Sequence, residues 1–249
     1  MNTNGNIYTI VYTTIIVVIV AGILAAAATF LKPSQQANIK AETISQMLQA
    51  AQFETAGMNN VQKLDKYAAE IDRAFTVDAQ GAKVKDLDVS RGNIELEDGL
   101  KAQNYALAGK GGYTVGLPVY ILKDGVTVIP CYGAGLWGPV WGYLAIEPDG
   151  CTIKGAYFDH ESETAGLGAR IKDDPAFRSQ FVGKKIAWGQ EPRFDIIKGG
   201  APAGQQNAID AITGATMTSN GLNGAINNWL KAYEPYFNGI IAAKAAEEE

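Results

Sequence analysis

The 249-residue sequence holds one histidine, His160, and two cysteines, Cys131 and Cys151. That supply is too small for most inorganic centres. No CxxC, HExxH or CxxCH pattern occurs, which argues against a zinc site, an internal iron–sulfur cluster or an attached c-type haem. No metal site is expected. The cysteines lie 20 positions apart, a spacing compatible with a disulfide in an oxidising compartment and equally with two buried free thiols. Basic residues are also scarce: 21 Lys and Arg stand against 26 Asp and Glu, a net charge of −5. With no basic run either, nucleic acid is excluded as an expected partner.

Charge is missing altogether from Ile7 to Leu31, a run of 25 residues that follows a short tail over 1–6 and ends at Lys32 and Pro33. At about 1.5 Å per residue such a run crosses a hydrocarbon core of about 30 Å. Ala21, Gly22 and Ala25 to Ala28 would let a neighbouring helix approach closely. A cleaved signal peptide is the competing reading, because Ala25-Ala26-Ala27 resembles a cleavage site. The length of the run and the lack of a basic segment before it favour an uncleaved anchor, with the membrane as partner. Lys32 and Lys40 follow the run, which read naively keeps the remainder cytoplasmic. Long domains translocate largely regardless of such charges, so the side stays open.

Beyond the anchor, 32–109 reads as a helical stalk and an irregular linker. Ile39, Ile44, Leu48 and Ala51 recur at helical spacing from Ser34 to about Phe53, and Leu64, Tyr67, Ala68 and Ile71 mark a second helix over Val61 to Phe75. The stretch from Thr76 to Gly109 has no sustained period. A domain over 110–240 carries the strand signals. Val119 to Leu122 and Val126 to Ile129 flank Asp124-Gly125, and Tyr143 to Ile146 and Thr152 to Tyr157 flank Pro148-Asp149-Gly150, each a hairpin. Asp174 caps a short helix with Pro175 at its first position, and Phe194 to Ile197 is a further strand. Leu222, Ala225, Ile226, Trp229, Leu230 and Tyr233 define a final amphipathic helix, capped by Ser219 or Asn220 and interrupted by Pro235. Residues 241–249 read as a flexible acidic tail. The expected fold is α+β: an antiparallel sheet with flanking helices on an N-terminal transmembrane helix and helical stalk.

The chemistry concentrates just before that last helix, in Asp210-Ala211-Ile212-Thr213-Gly214-Ala215-Thr216-Met217-Thr218. Hydroxyls and flexible backbone ahead of a helix N-terminus suit a phosphate, since the unpaired N–H groups there carry partial positive charge. A polar turn capping the helix is the plainer explanation of the same residues. Asp210, Thr213, Gly214, Ala215, Thr216 and Thr218 together, however, resemble the flavinylation motif of the FMN-binding domain family. All six constrained positions match, against chance odds of roughly one in several thousand for a chain this long. The resemblance implies that a flavin transferase joins the phosphate of FMN to the hydroxyl of Thr216.

Two further segments extend it. Gly133-Ala134-Gly135-Leu136-Trp137 is similar to the family's GxGLW stretch, and His160 to Gly168 (HESETAGLG) to its HGETPGLG loop, with Glu161-Ser162 where one Gly is usual and Ala165 where Pro is usual. The order and spacing of these segments behind a single anchor resemble the C-type subunits of the Na+-translocating NADH:quinone oxidoreductases. That resemblance implies a periplasmic FMN domain on the bacterial inner membrane. It also implies partner subunits of the quinone reductase complex that pass electrons through the flavin, so the chain is an electron carrier within an oxidoreductase. Candidate flavin contacts are Trp137, which fits a ring-stacking or a core role, with Glu163, Thr164, Leu167 and Gly168 of the loop. Asp210 would orient the acceptor hydroxyl and Lys198 neutralise the phosphodiester, unless they are an ordinary turn carboxylate and a solvated lysine. His160 reads as a structural residue at a strand end. The G-type subunit of Rnf-type ferredoxin:NAD oxidoreductases is the nearest rival, and a stand-alone flavin reductase a more distant one. A non-redox surface or scaffold protein on one anchor would leave the motif unexplained.

Overall fold

A computed structural model describes residues 5–97, 99–112 and 114–247, the last without its side chain. The chain divides into two units, Met1–Glu42 and Thr43–Glu249. The described part of the first is helical from Asn6 and belongs to α1 (Asn6–Ala50). This helix is long and apolar enough to cross a membrane, with a mean hydropathy of 2.7 over its most apolar stretch and none of that stretch buried. It runs through Pro33, so the segments expected as anchor and as first stalk helix belong to one helix.

The second unit is built on a six-stranded sheet in the order β2-β1-β3-β4-β5-β6. These are β1 (Ile71–Val77), β2 (Lys83–Leu87), β3 (Leu117–Leu122), β4 (Thr127–Ala134), β5 (Pro139–Ile146) and β6 (Ile153–His160). Every neighbouring pair is antiparallel. The β3–β4 and β5–β6 hairpins turn at the two Gly-containing segments expected from sequence. The segment 32–109 is the main correction. Besides the end of α1 it supplies α2 (Asn60–Glu70), β1, β2 and α3 (Leu100–Leu107). The helix expected over Val61 to Phe75 stops at Glu70, and Ile71 opens a strand instead. Asn59 caps α2 with a reciprocal bond to Gln62.

The sheet is covered on both faces, which explains why β3 is buried at every position rather than at alternate ones. Side chains still alternate between the covers. Val119 and Ile121 point into a core with α6 (Thr216–Glu247), built around Leu222, Ile226, Trp229, Tyr233 and Phe237. Tyr120 and Leu122 point into the opposite core, with Ile44, Met47 and Leu48 from the last turns of α1 and with Tyr67. Each large apolar side chain so buried contributes about 1.5–3 kcal/mol.

Beyond β6 come α4 (Arg170–Asp173) and α5 (Pro175–Ser179), the latter capped by Asp174 with Pro175 at its start as expected. A parallel pair follows, β7 (Asp195–Ile197) and β8 (Ala208–Asp210). Two expectations about α6 are corrected. It opens at Thr216 rather than after Ser219 or Asn220, because the Ser219 hydroxyl accepts from Ile212 N–H and so caps the incoming segment instead of the helix. It also continues through Pro235 to Glu247. Tyr233 and Phe237 are fully buried on either side of the proline, so the core holds the helix across it. The expected flexible tail is therefore helical over 241–247, while Glu248 and Glu249, like residues 1–4 of the N-terminal tail, lie outside the described residues. Both cysteines are free: Cys131 is buried, and burial pushes its thiol up to about 12.

Candidate functional site

Three segments far apart in sequence meet at one end of the sheet. The first is the turn between β4 and β5, closed by Gly135 N–H donating to Gly138 C=O at 2.8 Å. It presents Leu136 and Trp137 outward, Trp137 being 66% exposed. The tryptophan is therefore not part of the core.

The second segment is the loop from Glu161 to Gly168, which follows the end of β6. It is laced to the first: Glu161 N–H donates to Pro139 C=O at 3.1 Å, and the Ser162 hydroxyl to Trp137 C=O at 2.9 Å. The Thr164 carbonyl accepts from Leu167 and Ala169 N–H, both at 3.1 Å, which rounds the loop and leaves Leu167 exposed. His160 stands at the strand end, and its Nδ1 accepts from Glu163 N–H at 3.1 Å.

The third segment is the motif itself. Gly214 has φ of +82°, a conformation that glycine adopts without strain. Ala215 is buried, Thr216 half-buried, and Met217 exposed. The hydroxyls are not equivalent. Thr218 is buried and donates to Glu163 Oε2 at 2.5 Å, and Ser219 is fully buried and bonded to Ile212. Thr213 is exposed in the turn before the helix. Thr216 sits in the first turn of α6, where backbone N–H groups point out of the helix and carry partial positive charge.

Close approach at glycines lets the segments join. A Cβ on Gly221 would lie 2.3 Å from Ala134 O, so only glycine allows the first turns of α6 to rest on the end of β4. Leu167 lies against Gly214, its Cδ2 3.1 Å from where a Cβ would stand. Leu136, Trp137, Leu167 and Met217 form an exposed apolar set on the segments that converge near Thr216. Such exposure on a folded domain marks a surface to be covered. A flat aromatic ring with a phosphate at a helix N-terminus fits these residues.

Glu163 is the charged residue inside the assembly. Burial opposes its ionisation, but the Thr218 hydroxyl, the Trp137 and Leu136 N–H groups and nearby His160 more than offset this. Its carboxyl lies below the usual carboxylate range. Asp210 and Lys198 are placed differently. Asp210 ends β8, and its Oδ1 accepts from Ala201 N–H at 2.7 Å, while its own N–H donates to the Gln180 side chain. Lys198 is exposed just beyond β7 and forms no ion pair among the described residues. Their side chains thus serve a turn and the surface here.

A polar cluster invisible in the sequence lies behind the site. Buried Asp159 accepts from Gln46 Nε2 at 2.8 Å and from Lys172 Nζ at 2.9 Å. This ties the end of α1 to β6 and α4. Only the pairing of distant elements reveals it.

The fold and the three-segment site define a flavin-binding domain behind an apolar helix. The profile of the FMN-binding domain family matches residues 135–231, so FMN is the cofactor. The C-type subunit of the Na(+)-translocating NADH-quinone reductase of Vibrio parahaemolyticus is 33% identical over 233 residues, covering 84% of both chains. Its counterpart in Yersinia pestis is 44% identical over 105 residues, 41% of this chain. The crystal structure of the same C-type subunit from Parabacteroides distasonis is 31% identical, with a TM-score of 0.69, covering 83% of this chain and 96% of that one. The chain belongs to the family of C-type subunits of the Na+-translocating NADH-quinone reductase.

Proposed function

We propose that the chain is the flavin-carrying electron-transfer subunit of a Na+-translocating NADH:quinone oxidoreductase, with FMN bound covalently through its phosphate to Thr216. The observation that carries the acceptor assignment is the inequality of the hydroxyls. Thr218 and Ser219 are buried and already bonded within the protein. Thr216 alone combines partial access with the first turn of a long helix. In the linkage its oxygen bridges to phosphorus and its proton leaves. A flavin transferase supplies the activated flavin nucleotide and takes away its leaving group.

When bound, FMN supplies the one- and two-electron chemistry. The residues of this chain hold and shield it. The first turn of α6 offers N–H groups and partial positive charge to the phosphate. Trp137 and Leu167 offer apolar surface to the ring, and Thr164 and the backbone about Gly168 its polar edge. Asp210, Thr213, Gly214, Ala215 and Thr218 complete the motif that the transferase reads. Asp210 ties the start of the motif to the connection that leaves β7, through Ala201 N–H, and Lys198 adds positive charge at the same end of the β7–β8 pair.

The apolar part of α1 anchors the chain in the bacterial inner membrane as a single pass, and the FMN domain faces the periplasm. Partner subunits deliver electrons to the flavin and take them onward. A covalent tether suits this arrangement, because a dissociable flavin would be lost from an exposed compartment. The test is in-gel flavin fluorescence of the denatured chain after co-expression with its flavin transferase. Fluorescence is expected in the wild type and absent in Thr216→Ala; equal fluorescence in both would overturn the acceptor assignment.

A further inference from the structure

Glu163 joins all three segments of the site. Its Oε1 accepts from Leu136 N–H at 2.7 Å and from Trp137 N–H at 2.9 Å. Its Oε2 accepts from the Thr218 hydroxyl at 2.5 Å. The residue is 7% exposed, so both oxygens are spent on protein donors. The surroundings are shaped for the carboxylate from two sides. A Cβ on Gly135 would fall 2.4 Å from Oε1, and one on Gly168 would fall 2.5 Å from Oε2. His160 Nδ1 holds the backbone of Glu163 itself.

Burying a carboxylate is costly unless donors satisfy it. An apolar side chain would strand two backbone N–H groups and a buried hydroxyl. A turn that must present a largely exposed Trp137 has little packing of its own to fix it. The carboxylate supplies what packing does not.

We propose that Glu163 is a positioning residue that locks the Leu136–Trp137 turn to the first turn of α6, so that the surface for the flavin ring is in place before the flavin is attached. This rests on the flavin reading above, but the lock itself exists in the protein without flavin. Glu163 acts through Leu136, Trp137 and Thr218, not by touching the cofactor.

The test uses the full chain in detergent, with and without co-expressed flavin transferase, as wild type, Glu163→Ala, Glu163→Gln and Thr218→Val. In unflavinylated protein, amide hydrogen exchange at Leu136 and Trp137 is read against core amides of β4. Glu163→Ala is expected to lose at least tenfold of their protection while the β4 amides hold. Glu163→Gln is expected to keep it, since its side-chain oxygen still accepts both N–H groups. In flavinylated protein the visible circular dichroism of the flavin reports ring placement. It should fall by at least half in Glu163→Ala and be largely restored in Glu163→Gln. Glu163→Gln should cost little, because the Thr218 hydroxyl can turn to accept from the amide NH2. Thr218→Val, which removes the tie to α6, should lower the flavin signal while the Leu136 and Trp137 amides keep their acceptor.

Unchanged protection at Leu136 and Trp137 in Glu163→Ala overturns the proposal. So does an unchanged flavin signal in that variant. If Glu163→Ala fails to fold, an equal loss of protection in Glu163→Gln at both amides overturns it as well. A wild-type chain that takes up no flavin contradicts the preceding section alone, and the exchange measurement still decides this one.

Discussion

The Thr218 hydroxyl donates to Glu163 Oε2 at 2.5 Å with both residues buried, only two positions from the half-buried hydroxyl of Thr216. Neighbouring threonines of one motif thus differ in access and bonding. Thr218→Ala and Thr213→Ala alter the motif but spare the acceptor, so they should lower the yield of the flavin adduct without abolishing it. Thr216→Ser should retain it, because the oxygen at that place survives. In-gel fluorescence per mole of chain checks this. Loss of the adduct in Thr213→Ala with retention in Thr216→Ala would move the acceptor to the exposed turn.

The Glu163 carboxyl is held below its ordinary value of about 4.3. A depressed value in the folded state means that its stabilising contribution is complete above the unfolded value. The contribution is then lost as pH falls through the lower, folded one. Protection of the Leu136 and Trp137 amides should therefore stay level from neutral pH to about pH 4.3 and decline only below it. In Glu163→Gln that decline should be absent. A loss of protection centred near neutral pH, or an acid decline that persists in Glu163→Gln, would contradict this assignment.

Gly221 and Gly224 lie one turn apart on α6 and should respond oppositely to alanine. A Cβ at Gly221 meets Ala134 O at 2.3 Å, whereas one at Gly224 meets nothing within 4 Å. Gly221→Ala is expected to destabilise the fold by about 1–3 kcal/mol through overpacking. Gly224→Ala should stabilise it by roughly 0.5–1 kcal/mol through helix propensity. Urea unfolding of the two variants measures both. Equal effects would mean that the first turns of α6 do not rest on β4 as described.

These residues also show what sequence reveals and what it hides. The stripe of α6 is legible because one face meets a core, giving a 3.6-residue period. The β3–β4 and β5–β6 hairpins are legible because Gly125 and Gly150 both require positive φ at their turns. β1 is hidden because Leu64, Tyr67, Ala68 and Ile71 keep a helical spacing across the boundary at which α2 gives way to the strand. β2 is hidden because it is an edge strand exposed at four of its five positions, so no apolar pattern marks it. In the site, Thr216 and Trp137 are visible as residue types in a motif. The duty of Glu163 is not, since it depends on three segments meeting. The start of α6 is hidden by Ser219, whose side chain looks like a helix cap and bonds backwards to Ile212 instead.

No residue of the most apolar stretch of α1 is buried in the chain by itself, so it should decide the fractionation of the protein. The full chain is expected in the membrane pellet, resistant to high salt and carbonate. A variant lacking residues 1–33 should appear in the soluble fraction with the unfolding midpoint of the full chain in detergent. A truncated chain that still sediments with membranes would assign the attachment to another surface.

Tandem mass spectrometry of the peptide that spans Asp210 to Thr218 tests the central claim most directly. Protein co-expressed with its flavin transferase should carry the mass of one FMN phosphoester, with fragment ions placing it on Thr216 and no other hydroxyl. An unmodified peptide, or fragments placing the adduct on Thr213 or Thr218, would contradict the account.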